Sequence, residues 1–446
     1  MRPASIPLLL RLFTASAALA LALPTLHAAT PPQGFTPLFN GRDLGGWWGL
    51  GTEDPAKWQA LPPDDLARKK AASLPNIQRH WRVEGDELVN DGEGLYLTTE
   101  KDFGDFELLL EYRTVAGADS GIYLRGIPQV QIWDSTQAGG KWGGDLGAEY
   151  GSGGLWNNSK GAPGRNPLVA ADRPFGQWNR FRIRMIGERV SVHLNDQLVV
   201  DHARLENFFN RSLPVPARGP LQLQTHGGEI RWRNLFVREI PAAEANAILR
   251  QKDRAAGFFP ILSAATGTQG WGGPIDEYEF VDGMLRCRPG KGGTVYYQAQ
   301  AFSDFTVLLD FLLPPGGNNG LALRYPGQGD TAYVGMCELQ VLDDTAEKYA
   351  RLDPRQYHGS AYGMVAAHRG HQRPVGEWNY QRVSVRGSRI EVELNGTRIL
   401  NADLAAVTEF MGTQPYPGRN RTEGYFGFAG HGDPVAFRQV EVKPLR

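Results

Sequence analysis

The sequence predicts an all-β protein made of two tandem β sandwiches joined by a short helical linker. Three observations carry this. The chain of 446 residues holds 55 glycines and 30 prolines, a turn-rich composition that suits many short strands. Apolar and polar residues alternate over short runs bounded by turn residues, the period of a half-buried strand. The order of motifs in the first half also recurs in the second.

The ends and the charge come first. Residues 1–29 read as a secretory signal, with Arg2 and Arg11, an apolar run and then small residues up to Ala28 and Ala29. The apolar run, residues 12–23, is too short to span a bilayer; an uncleaved anchor is the alternative. Neither a lipoprotein cysteine nor a twin arginine accompanies it, so we expect unfolded export, a periplasmic location and no membrane span in the mature chain. Lys and Arg number 47 against 48 Asp and Glu, a net charge of −1, which calls for no nucleic-acid partner. Cys287 and Cys337 lie in separate predicted strands, where a disulfide and two buried thiols are both open.

The first sandwich is expected over 30–240. Its insert at 54–72, "DPAKWQALPPDDLARKKAA", reads as one or two short surface helices. "DFELLLEYR" alternates, with Phe106, Leu108, Leu110 and Tyr112 on one face and Glu107, Glu111 and Arg113 on the other. Glu107 and Glu111 stand far apart along that strand, so a solvated back face suits them better than a catalytic pair. "RFRIRMIGERVSVHLNDQLVVD" is a hairpin, and its counterpart carries the turn "LNGTRI". The linker, 241–256, is charged and Ala-rich, and the second sandwich follows over 257–446.

The halves align motif by motif. "FGDFELLLEYRTVAGADSGIYLRG" answers to "FSDFTVLLDFLLPPGGNNGLALRY", and "VQIWDS" to "LQVLDD". Arg125 thereby matches Arg324, Gln131 matches Gln340, Asp134 matches Asp343 and His226 matches His431. The second half has Ala429 at Gln224, Glu338 at Gln129, Leu342 at Trp133 and Tyr362 at Trp156. It is a diverged catalytic copy or a binding module.

Alternation assigns faces. Ile122, Leu124, Val130, Ile132, Leu221 and Leu223 point to the core, which turns Tyr123, Arg125, Gln131, Trp133, Gln224 and His226 to the opposite face. Aromatic rings, planar amides, one cation and one imidazole are a sugar-binding set. "GSGGLWNN" adds a Gly-rich rim with Trp156 and Asn157, or else a plain connector.

"GFTPLFNGRDLGGW", "DSGIYLRG", "PQVQIWD", "GSGGLWNN" and "GPLQLQTHGGEIRWRNLFVREI" together resemble the 3-keto-disaccharide hydrolase domain family, continuously over 34–240 and more weakly over 257–446. The resemblance implies concanavalin A-like sandwiches of jelly-roll type and cleavage of glycosides oxidised to a ketone at C3. The ketone acidifies the C2 proton; a base removes it, the aglycone leaves from C1, and water adds back. His226 is then a candidate base or acid, Arg125 a partner for the enolate oxygen, and Asp134 an orienting group or metal ligand. Tyr123, Gln131, Trp133, Trp156, Asn157 and Gln224 would hold the carbohydrate, with Arg324, Gln340, Asp343 and His431 as second-half equivalents. The fuller motif set marks the first half as the main catalyst. A divalent metal ion is an open cofactor, and an oxidoreductase that makes the 3-keto sugar is the implied pathway partner. Structural roles compete: a Gly-Gly turn histidine for His226, an ion pair for Arg125 and a turn residue for Asp134. A non-catalytic lectin is the alternative function. A retaining glycosidase ranks last, for want of a tightly spaced acidic motif.

Overall fold

A computed structural model describes residue 1, residues 30–137 and residues 146–445; the expected secretory signal lies almost wholly outside the described residues. The strands of the first half are β1 (Thr36–Pro37), β2 (Trp47–Leu50), β3 (Trp81–Glu84), β4 (Glu87–Asn90), β5 (Tyr96–Thr99), β6 (Phe106–Thr114), β7 (Asp119–Leu124), β8 (Ile127–Trp133), β9 (Asn179–Ile186), β10 (Arg189–Leu194), β11 (Gln197–Arg204), β12 (Gln222–Leu223) and β13 (Ile230–Glu239). Those of the second half are β14 (Phe259–Leu262), β15 (Trp271–Gly272), β16 (Tyr278–Val281), β17 (Met284–Cys287), β18 (Gly292–Tyr297), β19 (Phe305–Leu312), β20 (Asn318–Tyr325), β21 (Cys337–Leu342), β22 (Trp378–Arg386), β23 (Arg389–Leu394), β24 (Thr397–Asp403), β25 (Tyr425–His431) and β26 (Ala436–Pro444).

Each half is two antiparallel sheets packed face to face. In the first, an eight-stranded sheet runs β11-β10-β9-β6-β13-β4-β3 with β1 on β13, and a five-stranded sheet runs β2-β5-β12-β7-β8. The second half has the orders β24-β23-β22-β19-β26-β17-β16, with β14 on β26, and β15-β18-β25-β20-β21. Every pairing of the first half therefore recurs between later strands in the same sequence order. Alternation explains the layers: Leu108, Leu110, Ile122, Val130, Ile132 and Leu223 of opposing sheets meet in one core, and Val307, Leu309, Leu321, Leu339, Val341 and Phe428 do so in the other.

The insert in the first half is more helical than expected. Beside α1 (Pro55–Trp58), α2 runs from Pro63 to His80, past Pro75. Tertiary contacts hold its last turns: Ser73 Oγ accepts from Gly49 N at 2.8 Å, Asn76 Oδ1 accepts from Leu95 N at 2.7 Å, and Ile77 is buried in the core. Glu107 is not solvated. It is buried between Arg182 and Arg238, while Glu111 pairs with Arg233. Cys287 and Cys337 are buried free thiols. Among the described residues no helix is long and apolar enough to cross a membrane.

The stretch between the halves forms α3 (Ala242–Asp253). Ala245 and Leu249 pack with Ile186 and Ile240 of the first half and with Leu308 and Tyr380 of the second. The halves also touch directly at two hairpin turns. Glu188 N donates to Gly396 O at 3.0 Å, and Arg398 N donates to Glu188 Oε2 at 3.2 Å. Gly187 has φ +55°, and a Cβ there would overlap the backbone of Asn395 and Gly396. Gly187→Ala should thus cost about 2–4 kcal/mol, left-handed strain plus overpacking. Urea unfolding of the whole chain measures this; a cost below about 0.5 kcal/mol, the scale of an ordinary surface substitution, would count against a tight seam.

Candidate functional site

The candidate site residues gather on the five-stranded sheets. In the first half Asp119 stands opposite Trp133, Gly121 opposite Gln131 and Gln222 opposite Tyr123. The strand period turns Asp119, Tyr123, Gln129, Gln131 and Trp133 away from the core. Loops then close over this face. The Tyr123 hydroxyl is 2.8 Å from Thr52 Oγ1, its ring meets Tyr96 edge-on, and it is buried. Trp133 Nε1 donates to Gly151 O at 3.0 Å, and the ring packs edge-on against Trp156. Gln131, Trp133 and Gln224 are buried as well, so these side chains are covered rather than set out as an open platform.

His226 is held by a buried carboxylate. Its Nδ1 lies 2.6 Å from Asp119 Oδ2, and Asp119 Oδ1 accepts from Gln131 Nε2 at 2.7 Å. Gln131 Oε1 accepts in turn from Gln129 Nε2. The His226 side chain is half exposed at the end of this chain of bonds. A carboxylate on one ring nitrogen fixes the tautomer and supports an imidazole that must carry a proton.

The second half keeps the plan and moves the charge. Asn318 stands where Asp119 does, and Glu338 where Gln129 does. Gln340 Nε2 donates to Asn318 Oδ1 at 2.6 Å, as Gln131 does to Asp119. The carboxylate has passed from the strand that starts the pair to its neighbour, β21, and meets the other imidazole nitrogen: His431 Nε2 lies 3.1 Å from Glu338 Oε1. Glycines allow both arrangements. A Cβ at Gly121 would stand 2.9 Å from Gln129 Cδ, and one at Gly320 would overlap the side chain of Glu338. Glu338, Gln340, Asn318 and His431 line a cavity of about 280 Å³ with Asp330, Tyr333, Tyr349 and Tyr362, close to the smaller end of small-molecule sites. The hydrogen bond to Glu338 raises the pKa of His431 above 6.5, against the opposing effect of burial.

Several expected site residues lie elsewhere. Arg125 has φ +54°, which ends the alternation of β7 and turns its side chain out of the row. Its guanidinium is buried, donating to Gly104 O at 2.9 and 2.7 Å, to Pro216 O at 3.2 Å and to Asp105 Oδ1 at 3.1 Å. Asp119 and Arg125 flank opposite ends of the strand, about 20 Å apart at the rise of extended chain. Arg125 therefore cannot serve an enolate beside His226. Arg324 repeats the clamp on Ser303 O and Asp304. Asp134 accepts from Gly117 N and from Thr136 N and Oγ1, and Asp343 accepts from Gly316 N and from Thr345 N and Oγ1. Both aspartates brace loops. Trp156 stays on the rim, with Nε1 donating to Leu146 O at 2.7 Å, but the Asn157 carbonyl accepts from Arg211 at 2.6 Å.

Asp119 and Glu338 join the candidate site through their contacts with His226 and His431, which the sequence alone does not reveal. The strand period was a usable signal, since Asp119 shares parity with Tyr123, and Glu338 with Gln340. Among the described residues no group of three or more His, Cys, Asp or Glu is placed to hold a metal ion. A divalent ion thus finds no ready ligand set among those residues.

Known proteins resemble this chain as follows. Residues 34–238 and 263–443 each match the family described as 3-keto-alpha-glucoside-1,2-lyase-like domain. A 3-keto-disaccharide hydrolase of Bacteroides thetaiotaomicron is 25% identical over 253 residues, 47% of this chain and 86% of the relative. The crystal structure of a candidate glycosyl hydrolase from Parabacteroides distasonis is 24% identical, covering 42% of this chain and 99% of that one, with a TM-score of 0.38. A Bacillus subtilis protein with a galectin-like fold is 15% identical, covering 42% of this chain and 94% of that one, with a TM-score of 0.27.

Glu338→Gln removes the group that holds the His431 proton. An NMR titration of the His431 ring should show its pKa falling from above 6.5 toward or below it. An unchanged pKa would mean that the pair does not act as one unit. In the native chain the raised value also means that the pair's stabilisation is complete below pH 6.5 and fades as pH rises through the folded-state pKa.

Proposed function

From the chain's membership of the 3-keto-alpha-glucoside-1,2-lyase-like family we propose that it cleaves glycosidic bonds of sugars oxidised at C3, by elimination followed by hydration. The observation that carries this reading is the His431–Glu338 pair in a cavity lined by tyrosines.

Neutral His431, with Nε2 held by Glu338, takes the C2 proton on its free ring nitrogen. The C2–H electrons move toward the C3 ketone, and the resulting enolate is met by hydroxyl donors of the kind that Tyr333, Tyr349 and Tyr362 offer. Collapse of the enolate breaks the bond from C1 to the aglycone oxygen, which leaves with a proton, and the double bond lies between C1 and C2. Water adding across it returns the 3-keto sugar, a net hydrolysis. His226 with Asp119 is proposed as a second such pair, with Gln131 positioning Asp119 and Tyr123, Trp133, Gln224 and Trp156 shaping its surroundings.

The fuller motif set points to the first half as the main catalyst, whereas the cavity around His431 favours the second. The C3 ketone has to be made by an oxidoreductase acting earlier on the glycoside. Residues 1–29 support export, and with it a periplasmic place of action. The proposed units remain 30–240, a linker at 241–256 and 257–446.

Release of aglycone from a 3-keto-glucoside, with none from the unoxidised glucoside, is the expected outcome. In a His226→Asn background, which silences the first-half pair, His431→Asn should lower kcat/KM by about 10²–10⁴-fold, the usual worth of a general base, with far-UV circular dichroism unchanged. The rate of the wild type should climb with pH through the raised His431 pKa, because the base is the neutral ring. In Glu338→Gln that limb should move to lower pH. Unchanged kcat/KM with His431→Asn and His226→Asn combined would reject the reading, and binding of sugar without release would favour a lectin.

A further inference from the structure

We infer that the seam between the two halves holds an oxyanion site, formed by Arg204 of the first half and Arg398 of the second. The two side chains line one polar cavity of about 270 Å³, together with Arg211, His368, Glu188 and Asn401. Their guanidinium groups are the unusual feature. Arg204 lies 3.8 Å from Glu206 and 4.0 Å from Glu188, and Arg398 lies 3.7 Å from Glu391. These separations allow electrostatic attraction but exceed hydrogen-bond length. Among the described residues neither guanidinium makes a hydrogen bond, although each side chain is about three-quarters buried, at 26% and 25% exposure. Each carries five N–H donors in a planar fork. None of these nitrogens is sealed from solvent, so the forks face the cavity with donors that a ligand can take in place of water. A carboxylate, sulfate or phosphate group matches the fork geometry.

The other wall residues are already employed. Arg211 is bound to Glu206 and to the Asn157 carbonyl. Glu188, the one carboxylate in the wall, accepts from Val215 N at 3.0 Å and from Arg398 N at 3.2 Å. Those backbone bonds absorb part of its charge and fix the start of β24, which carries Arg398. His368 is tied to the same strand, its N donating to Ile399 O at 2.9 Å.

The fold requires neither arginine. Arg204 pairs with Arg189 across β10 and β11, and the residue in the same place of the second half is Asp403, opposite Arg389. Arg398 pairs with Glu393, and its first-half counterpart is Leu198, opposite His193. The two cations occur once each, one per half, at the place where the halves meet. The ligand class is accordingly an oxyanion, such as the acid group of a charged saccharide, held apart from the histidine–carboxylate pairs.

The test uses the whole chain and calorimetric titration with glucuronate, sodium sulfate and inorganic phosphate, with glucose and sodium chloride as controls. At least one of the three anions should bind saturably while glucose and chloride do not. Arg398→Leu and Arg204→Leu should each weaken that binding tenfold or more. Leu198 already stands at the first position's counterpart, so Arg398→Leu should fold; Arg398→Gln serves as a second variant if it does not. Binding to glucuronate alone identifies a carboxylate site, and binding to sulfate or phosphate a tetrahedral one. No anion binding above chloride, or equal affinity in folded Arg398 variants, overturns the inference. Activity on a neutral 3-keto-glucoside should be unchanged in Arg398→Leu, so failure here and failure of the glycosidase reading are separate results.

Discussion

A missing side chain on the strand next to the edge of each site sheet, β7 or β20, is the constraint on which the rest depends. At Gly121 and Gly320 the neighbouring strand's polar side chain, Gln129 or Glu338, lies against backbone where a Cβ would collide. That space lets a polar side chain from β8 or β21 cross its neighbour. In the second half the crossing group is the carboxylate that reaches His431; in the first, Asp119 reaches His226 directly and the crossing group is an amide. Gln131 and Gln340 are the fixed element, donating in both halves to the residue at the start of the paired strand. The charge can therefore occupy either of two positions while the histidine keeps one carboxylate. Through this exchange the two copies of the sandwich each retain a histidine–carboxylate pair.

Much of the fold was legible because its causes are local. Alternation in "DFELLLEYR", "SGIYLRG" and "VQIWDS" assigned core and outer faces, and all of Ile122, Leu124, Val130 and Ile132 are buried as that period requires. Locality also marks where the reading failed. Arg125 follows the same parity as Tyr123, yet its positive φ sends the guanidinium to Gly104 and Asp105, in the loop that leads into β6. Helix α2 continues through Pro75 because Ser73, Asn76 and Ile77 are engaged by residues distant in sequence. Asp119 was on the page as part of a motif, but its role needs Gln131 and His226, and only the assembled sheet brings those three together.

Arg125, a candidate cation by strand parity, matters instead to the joining of the two halves. Asp105 accepts from Arg125 Nη2 at 3.1 Å and from Gly187 N at 2.9 Å, and its other oxygen lies 2.8 Å from Arg373 Nη2 of the second half. One carboxylate thus ties the end of β7, the turn at the seam and the partner sandwich. Removing one member of such a buried group costs about 3–5 kcal/mol, because the others are left charged and unpaired. The halves are joined through packed glycines, a shared helix and this ion cluster, so the sites of both sandwiches are held by one continuous framework. The repeat carries the clamp itself, since Arg324, Asp304 and Gly387 mirror Arg125, Asp105 and Gly187, but nothing in the sequence marks which copy faces the other half.

The claim that a histidine–carboxylate pair moves a proton at the carbon next to the ketone is tested most directly by isotope. A 3-keto-glucoside is turned over in D₂O, and the sugar released is examined by NMR. The account predicts deuterium at C2 of the product, with slower incorporation in Glu338→Gln. Aglycone release with protium retained at C2 would contradict it.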